Sequence, residues 1–94
     1  MSLEFEWDAP KAGGNVTKHG VTFQEALTVF RDPLARIFAD PAHSSDALRE
    51  LIIGHSADRR LVIVSFNERQ ERVRIISARR ATPREQHDYE QHSK

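Results

Sequence analysis

The run LVIVSF, Leu61 to Phe66, constrains the fold more than any other stretch. Three consecutive β-branched residues lose side-chain freedom in a helix but pack well on a pleated sheet. Polar turn-like segments, ADRR before it and NERQE after it, leave too few residues for a stable helix. Alternate strand residues point to opposite faces, and here both sets are apolar. The run therefore reads as a central strand, and a central strand needs partners on both sides.

The flanking sequence supplies them. Leu34–Ala39, Arg49–Ser56 and Arg72–Ala78 have strand composition and are separated by turns or by the polar loop DPAHSSDA. EFEW, Glu4 to Trp7, alternates polar and apolar and predicts a short first strand with Phe5 and Trp7 inward. Asp8 is a helix N-cap with Pro10 in the first turn, and that helix runs to about His19, where Gly20 supplies a left-handed stop. TFQE, Thr22 to Glu25, is a capping box opening a second helix that ends by Arg31, before the Asp32-Pro33 step. TPRE, Thr82 to Glu85, is another, with proline at the first helical position. The helix it opens is polar almost all round apart from Tyr89, so it either frays or docks on something else. The order β-α-α-β-β-β-β-α predicts one α+β domain: a small antiparallel sheet with two N-terminal helices on one face and a polar C-terminal helix.

Ninety-four residues suffice for one such domain. No cysteine is present, which excludes disulfides and thiolate metal sites. No apolar run approaches membrane length and no signal-peptide core is visible, so a cytoplasmic protein is expected. Gly-rich phosphate loops and a GxSxG elbow are missing too. The histidines, at 19, 43, 55, 87 and 92, show no HxH or HxxxH pairing, so no metal or other cofactor is predicted.

Charge is where the chain becomes informative. The formal net charge is zero, yet eight of the eleven arginines fall between Arg59 and Arg84. Solvated surface charge, ion-paired with Glu50, Glu68 and Glu71, is the default explanation on composition alone. The other is a phosphate-binding face, since arginine is a planar fork for phosphate. Arg49 and Arg60 begin neighbouring strands, and Arg74 shares a strand face with Arg72 and Ile76. Arg79 and Arg80 are adjacent, so at most one of them can share Arg74's side. Lys18 and His19 end the first helix, where cations also simply offset the helix dipole. Tyr89, four residues after Glu85, could stack on a base or pin its helix. Arginine, lysine, histidine and tyrosine are nevertheless the set needed to cleave RNA without a metal.

The stretches FEWDAPKAGGNVTKHGVTFQEALTVFRDP, DPAHS, IIGHS and RIISARRATPREQHDYE resemble the BrnT family of type II toxin–antitoxin toxins from Phe5 to Glu90. The resemblance implies a RelE-like fold and a ribonuclease that blocks translation. It also implies neutralisation by a BrnA-like antitoxin of the ribbon-helix-helix DNA-binding type, in a heterotetramer of two toxins and two antitoxins. That complex would repress its own operon, with operator DNA held mainly by the antitoxin. Asn15, Lys18, His19, Arg49, Arg60, Arg74, Arg79, Arg80, Glu85 and Tyr89 fall on its motif positions. On this basis His19 is the expected general acid or base, with Arg79 and Arg49 or Arg60 on the phosphate. Lys18, Arg74, Arg80 and Tyr89 are the expected RNA-binding residues. Relatives usually have glycine in the turns where this chain has Arg59 and Gln70, and often threonine in place of Asn67. A catalytically inert module that binds nucleic acid or the antitoxin is the alternative reading.

Overall fold

The computed structural model describes residues 4–41 and 49–92, so most of the polar loop DPAHSSDA, with His43, lies outside the described residues. Its elements are β1 (Glu4–Glu6), α1 (Ala9–His19), α2 (Phe23–Val29), β2 (Arg36–Ala39), β3 (Arg49–His55), β4 (Leu61–Arg69), β5 (Arg72–Arg80) and α3 (Pro83–His92). This is the predicted order. Five strands form one sheet in the order β1-β5-β4-β3-β2, so LVIVSF occupies its middle.

One feature departs from an all-antiparallel sheet: β1 joins it parallel to β5, with Glu4, Phe5 and Glu6 opposite Arg72, Val73 and Arg74. Hairpins force antiparallel pairing between neighbours in sequence. No such constraint acts on β1, which is separated from β5 by both N-terminal helices and three strands. The last hairpin is also tighter than expected. β4 and β5 extend to Arg69 and Arg72, so Asn67 lies in a strand and only Gln70 and Glu71 turn. Both have positive φ, 49° and 68°, and Arg59 in the preceding hairpin has 64°. A side chain is strained in that region, which glycine adopts without penalty.

The two faces of the sheet differ. Val21, Phe23, Ala26 and Val29 pack on Ile52, Val62, Val64, Phe66, Val73, Ile75 and Ala78 in the main core. Phe5, Trp7 and Phe30 close its edge through T-shaped ring contacts. Asp8 and Thr22 cap α1 and α2 as the sequence indicates, each accepting from a backbone N–H in the first turn. Gly54 is needed where α2 ends. A Cβ there would lie 2.9 Å from the Ala35 Cβ and 3.0 Å from Asp32 Oδ2, the oxygen that accepts the His55 N–H at 2.7 Å.

On the opposite face Ile53, Leu61 and Ile63 pack beneath Tyr89 of α3. The polar helix thus docks on its own sheet. The Tyr89 hydroxyl donates to the Leu34 carbonyl at 3.1 Å, and its ring meets His55 edge-on. Glu85 completes the capping box: Thr82 N–H donates to its carboxylate at 2.8 Å, and its own N–H donates to Thr82 Oγ1. Because α3 crosses only one end of this face, no helix among the described residues covers the other end.

Candidate active site

The end that α3 leaves uncovered holds a pocket of about 240 Å³, lined by His19, Asp40, Arg49, Leu51, Ile63, Ser65, Ser77 and Arg79. His19, Arg49 and Arg79, distant in sequence, are brought together here. Their convergence depends on two local devices.

The first device is a β-bulge. Ser65 pairs with Ser77, but Phe66 pairs with Ile75, so Ile76 is the extra residue. Strict alternation would place Arg74, Ile76, Ala78 and Arg80 on one face. The bulge reverses the phase beyond Ile76. Ala78 then points into the core, while Ser77 and Arg79 point into the pocket.

The second device is Asn15. β1 reaches only Arg74, which leaves the later part of β5 without a strand on that side. Asn15 takes its place. Its amide donates to the Ala78 carbonyl at 2.8 Å and accepts the Ala78 N–H at 3.0 Å, imitating a ladder pair. It also donates to the Val21 carbonyl at 2.8 Å. Buried at 7% exposure, this side chain pins α1 against the strand edge, and His19, at the end of α1, reaches the pocket.

Arg79 is held in a fork by Glu85, with nitrogen–oxygen distances of 2.8 and 2.9 Å. The bidentate bond to Arg79, aided by Thr82, pushes the Glu85 carboxyl down to about 2 despite partial burial. Arg49 is different: its Nε is enclosed without a hydrogen-bond partner among the described residues, as is Ser65 Oγ.

The remaining predicted residues lie elsewhere. Arg60 is not in the pocket. Its guanidinium binds the Glu25 carboxylate and donates to the Gly20 carbonyl, joining the start of β4 to the junction of α1 and α2. Glu25 also accepts from Ser56 Oγ at 2.7 Å, and the bonds from Arg60, chiefly, hold its carboxyl below the usual range. Arg74 pairs with Glu6 at 2.9 Å and Arg72 with Glu4 and Glu6, across the β1–β5 edge. Tyr89, 6% exposed, is packed in the core beneath α3. Lys18 and Arg80 are exposed and line no part of this pocket. Arg60, Arg72 and Arg74 are thus ion-paired, with Glu25, Glu4 and Glu6 instead of Glu50, Glu68 and Glu71. Sequence reasoning did not single out Asp40, Ser65 or Ser77. Only the register that aligns Ser65 with Ser77 could have exposed the serines. Among the described residues no three histidines and carboxylates stand close enough to share a metal ion, and no helix is long and apolar enough to cross a membrane.

The fold is shared with a solved structure, the 1.1 Å crystal structure of the Brucella abortus ribonuclease toxin BrnT. The TM-score is 0.68 at 25% identity, over 86% of this chain and 99% of that one. This likeness defines the class: a small α+β ribonuclease toxin. Within it, the chain belongs to the BrnT family of ribonuclease toxins of type II toxin–antitoxin systems, whose model matches residues 7–85. No curated protein sequence matches it. Membership of a type II system implies an antitoxin partner.

Proposed function

We propose that this protein is a metal-independent endoribonuclease that inhibits translation, with His19, Arg49 and Arg79 as its working groups. The observation that carries the reading is their convergence on one pocket. In the reaction, the ribose 2′-oxygen attacks the adjacent phosphorus and its proton passes to a base. The bond to the leaving 5′-oxygen breaks, and an acid protonates that oxygen. His19 serves as acid or base, a role worth typically about 10²–10⁴-fold. Arg49 and Arg79 stabilise the charged phosphorane. Glu85 takes two of the five N–H donors of Arg79, orienting the fork while leaving others for an oxyanion. Lys18, beside His19, and Arg80, beside Arg79, would meet flanking phosphates. Arg60, Arg74 and Tyr89 serve the fold instead. The partner would be a ribbon-helix-helix antitoxin in a complex of two toxins and two antitoxins that represses the operon.

Inducing the protein alone tests this reading. The expected outcome is growth arrest with RNA cleavage that survives EDTA. His19→Ala and Arg79→Ala, checked for folding by circular dichroism, should each lose at least about 10²-fold in cleavage. Wild-type protein that arrests nothing and cleaves nothing would favour the inert binding module. A magnesium requirement would sink the mechanism.

A further inference from the structure

The pocket floor contains a feature that the catalytic reading does not use. Across the face that α3 partly covers, one register row runs Phe38, Leu51, Ser65, Ser77, and the next runs Arg36, Ile53, Ile63, Arg79. Two hydroxyls therefore sit side by side, their Cβ atoms about 5 Å apart, on a floor otherwise built from leucine and isoleucine. Ser65 is 7% exposed, and its Oγ has no hydrogen-bond partner among the described residues. Neither has Arg49 Nε, on the adjacent strand and on the same pocket wall. Enclosed polar groups are almost always bonded, because leaving one unpaired carries a desolvation penalty. Both residues line one pocket, so a group bound there is placed to supply the missing partners.

The missing bonds say which ligand. Arg49 Nε can only donate, and a serine hydroxyl donates readily. With His19 and Arg79 on the walls, the complementary group is an anion carrying several acceptor oxygens. Asp40 is the opposing charge; it stands at the end of β2, where its N–H bonds to the Arg49 carbonyl. A third enclosed atom without a partner, Asn67 Oδ1, is an acceptor and lines a separate cleft with Arg69 and Arg74, so it forms no part of the seat.

We propose that Ser65, Ser77 and Arg49 Nε form the seat of the scissile phosphate, the two serines being phosphate-binding residues. The proposal rests on the ribonuclease reading for the phosphate's identity, but anion binding can be measured without it. The probe is inorganic phosphate at low ionic strength, titrated into the full chain and followed by backbone amide shifts. Wild type should show saturable shifts at residues 64–66 and 77–79. Ser65→Ala and Ser77→Ala should weaken phosphate binding, and lower kcat/KM on a short RNA, by about tenfold or more, the usual worth of a hydrogen bond to a charged group. Tm should be unchanged or higher in Ser65→Ala, because the substitution removes an unpaired buried hydroxyl. A serine present only for its small size would give an alanine variant with wild-type activity and phosphate affinity, which overturns the seat and leaves the ribonuclease reading standing. An activity loss that only follows a fall in Tm also overturns it. If wild type cleaves no RNA, the ribonuclease reading fails and the phosphate titration alone decides the seat: saturation lost in the variants upholds it, and no saturation in wild type ends it.

Discussion

Asn15 carries more of the site than its composition class suggests. A primary amide has the donor and acceptor of a peptide group in the same plane, so it can stand in for a neighbouring strand. Here it satisfies both backbone groups of Ala78 and the carbonyl of Val21. Asn15→Ala would leave three buried backbone groups without partners and should destabilise the fold by about 2–4 kcal/mol, read from urea unfolding. Asn15→Asp should be no milder, since a carboxylate cannot donate to the two carbonyls. A cost under about 1 kcal/mol would mean that apolar contacts alone hold α1 to the strand edge. The family resemblance put Asn15 on a motif position but gave it no role. Its partner is 63 residues away, and no local pattern reports a bond of that separation. The same holds for Arg60, whose strand-start position resembles that of Arg49 but whose carboxylate partner, 35 residues earlier, determines its use.

At the level of elements, Tyr89 and Glu85 fasten α3 by different chemistry. Tyr89 fixes its middle to the sheet, and Glu85 ties its first turn to Arg79. Both were legible as features: TPRE as a start signal, Tyr89 as the one large apolar side chain. The face they would meet was not, because it depends on the bulge at Ile76, which no turn residue or glycine announces. The ion pair makes a pH prediction. The Glu85 carboxyl lies lower in the folded state, about 2, than its ordinary value of 4.5. Such a group contributes stability that is complete above the ordinary value and is lost as pH falls from there toward 2. Wild type should therefore lose stability through that window, and Glu85→Gln should lack this part of the acid limb. Its stability at neutral pH should already be lower, by a modest amount because the pair is partly exposed. Urea midpoints measured at pH 3 and pH 7 would check this; equal acid sensitivity in the two proteins would assign the limb to other carboxylates. Amide exchange at neutral pH should also quicken in α3 of the variant before it does in the central strands.

Across the whole molecule, eight arginines between Arg59 and Arg84 of a neutral chain invite the picture of a basic surface tracking a long stretch of RNA. The ion pairs argue for something narrower. Arg60, Arg72 and Arg74 are engaged by Glu25, Glu4 and Glu6, and Arg79 shares its fork with Glu85. An arginine that keeps its carboxylate partner neutralises little phosphate charge and releases few counterions. The pocket itself offers Arg49 and Arg79, enough for about one or two phosphates. Single-stranded nucleic acid loses affinity with log salt at a slope near 0.7 per phosphate neutralised, so the expected slope is about −0.7 to −1.4. All eight clustered arginines acting together would give about −6. The measurement is the binding of a short RNA carrying a 2′-deoxy substitution at the scissile position, across a several-fold range of KCl. A shallow slope would fit an enzyme that grips one phosphodiester and obtains its affinity from buried donors in the pocket. A steep slope would bring Lys18, Arg80 and the β1–β5 edge into the binding surface, and Glu6→Gln, which releases Arg74, would then leave it unchanged. If the slope is shallow in wild type, Glu6→Gln should steepen it only when the RNA is long enough to reach from the pocket to that edge.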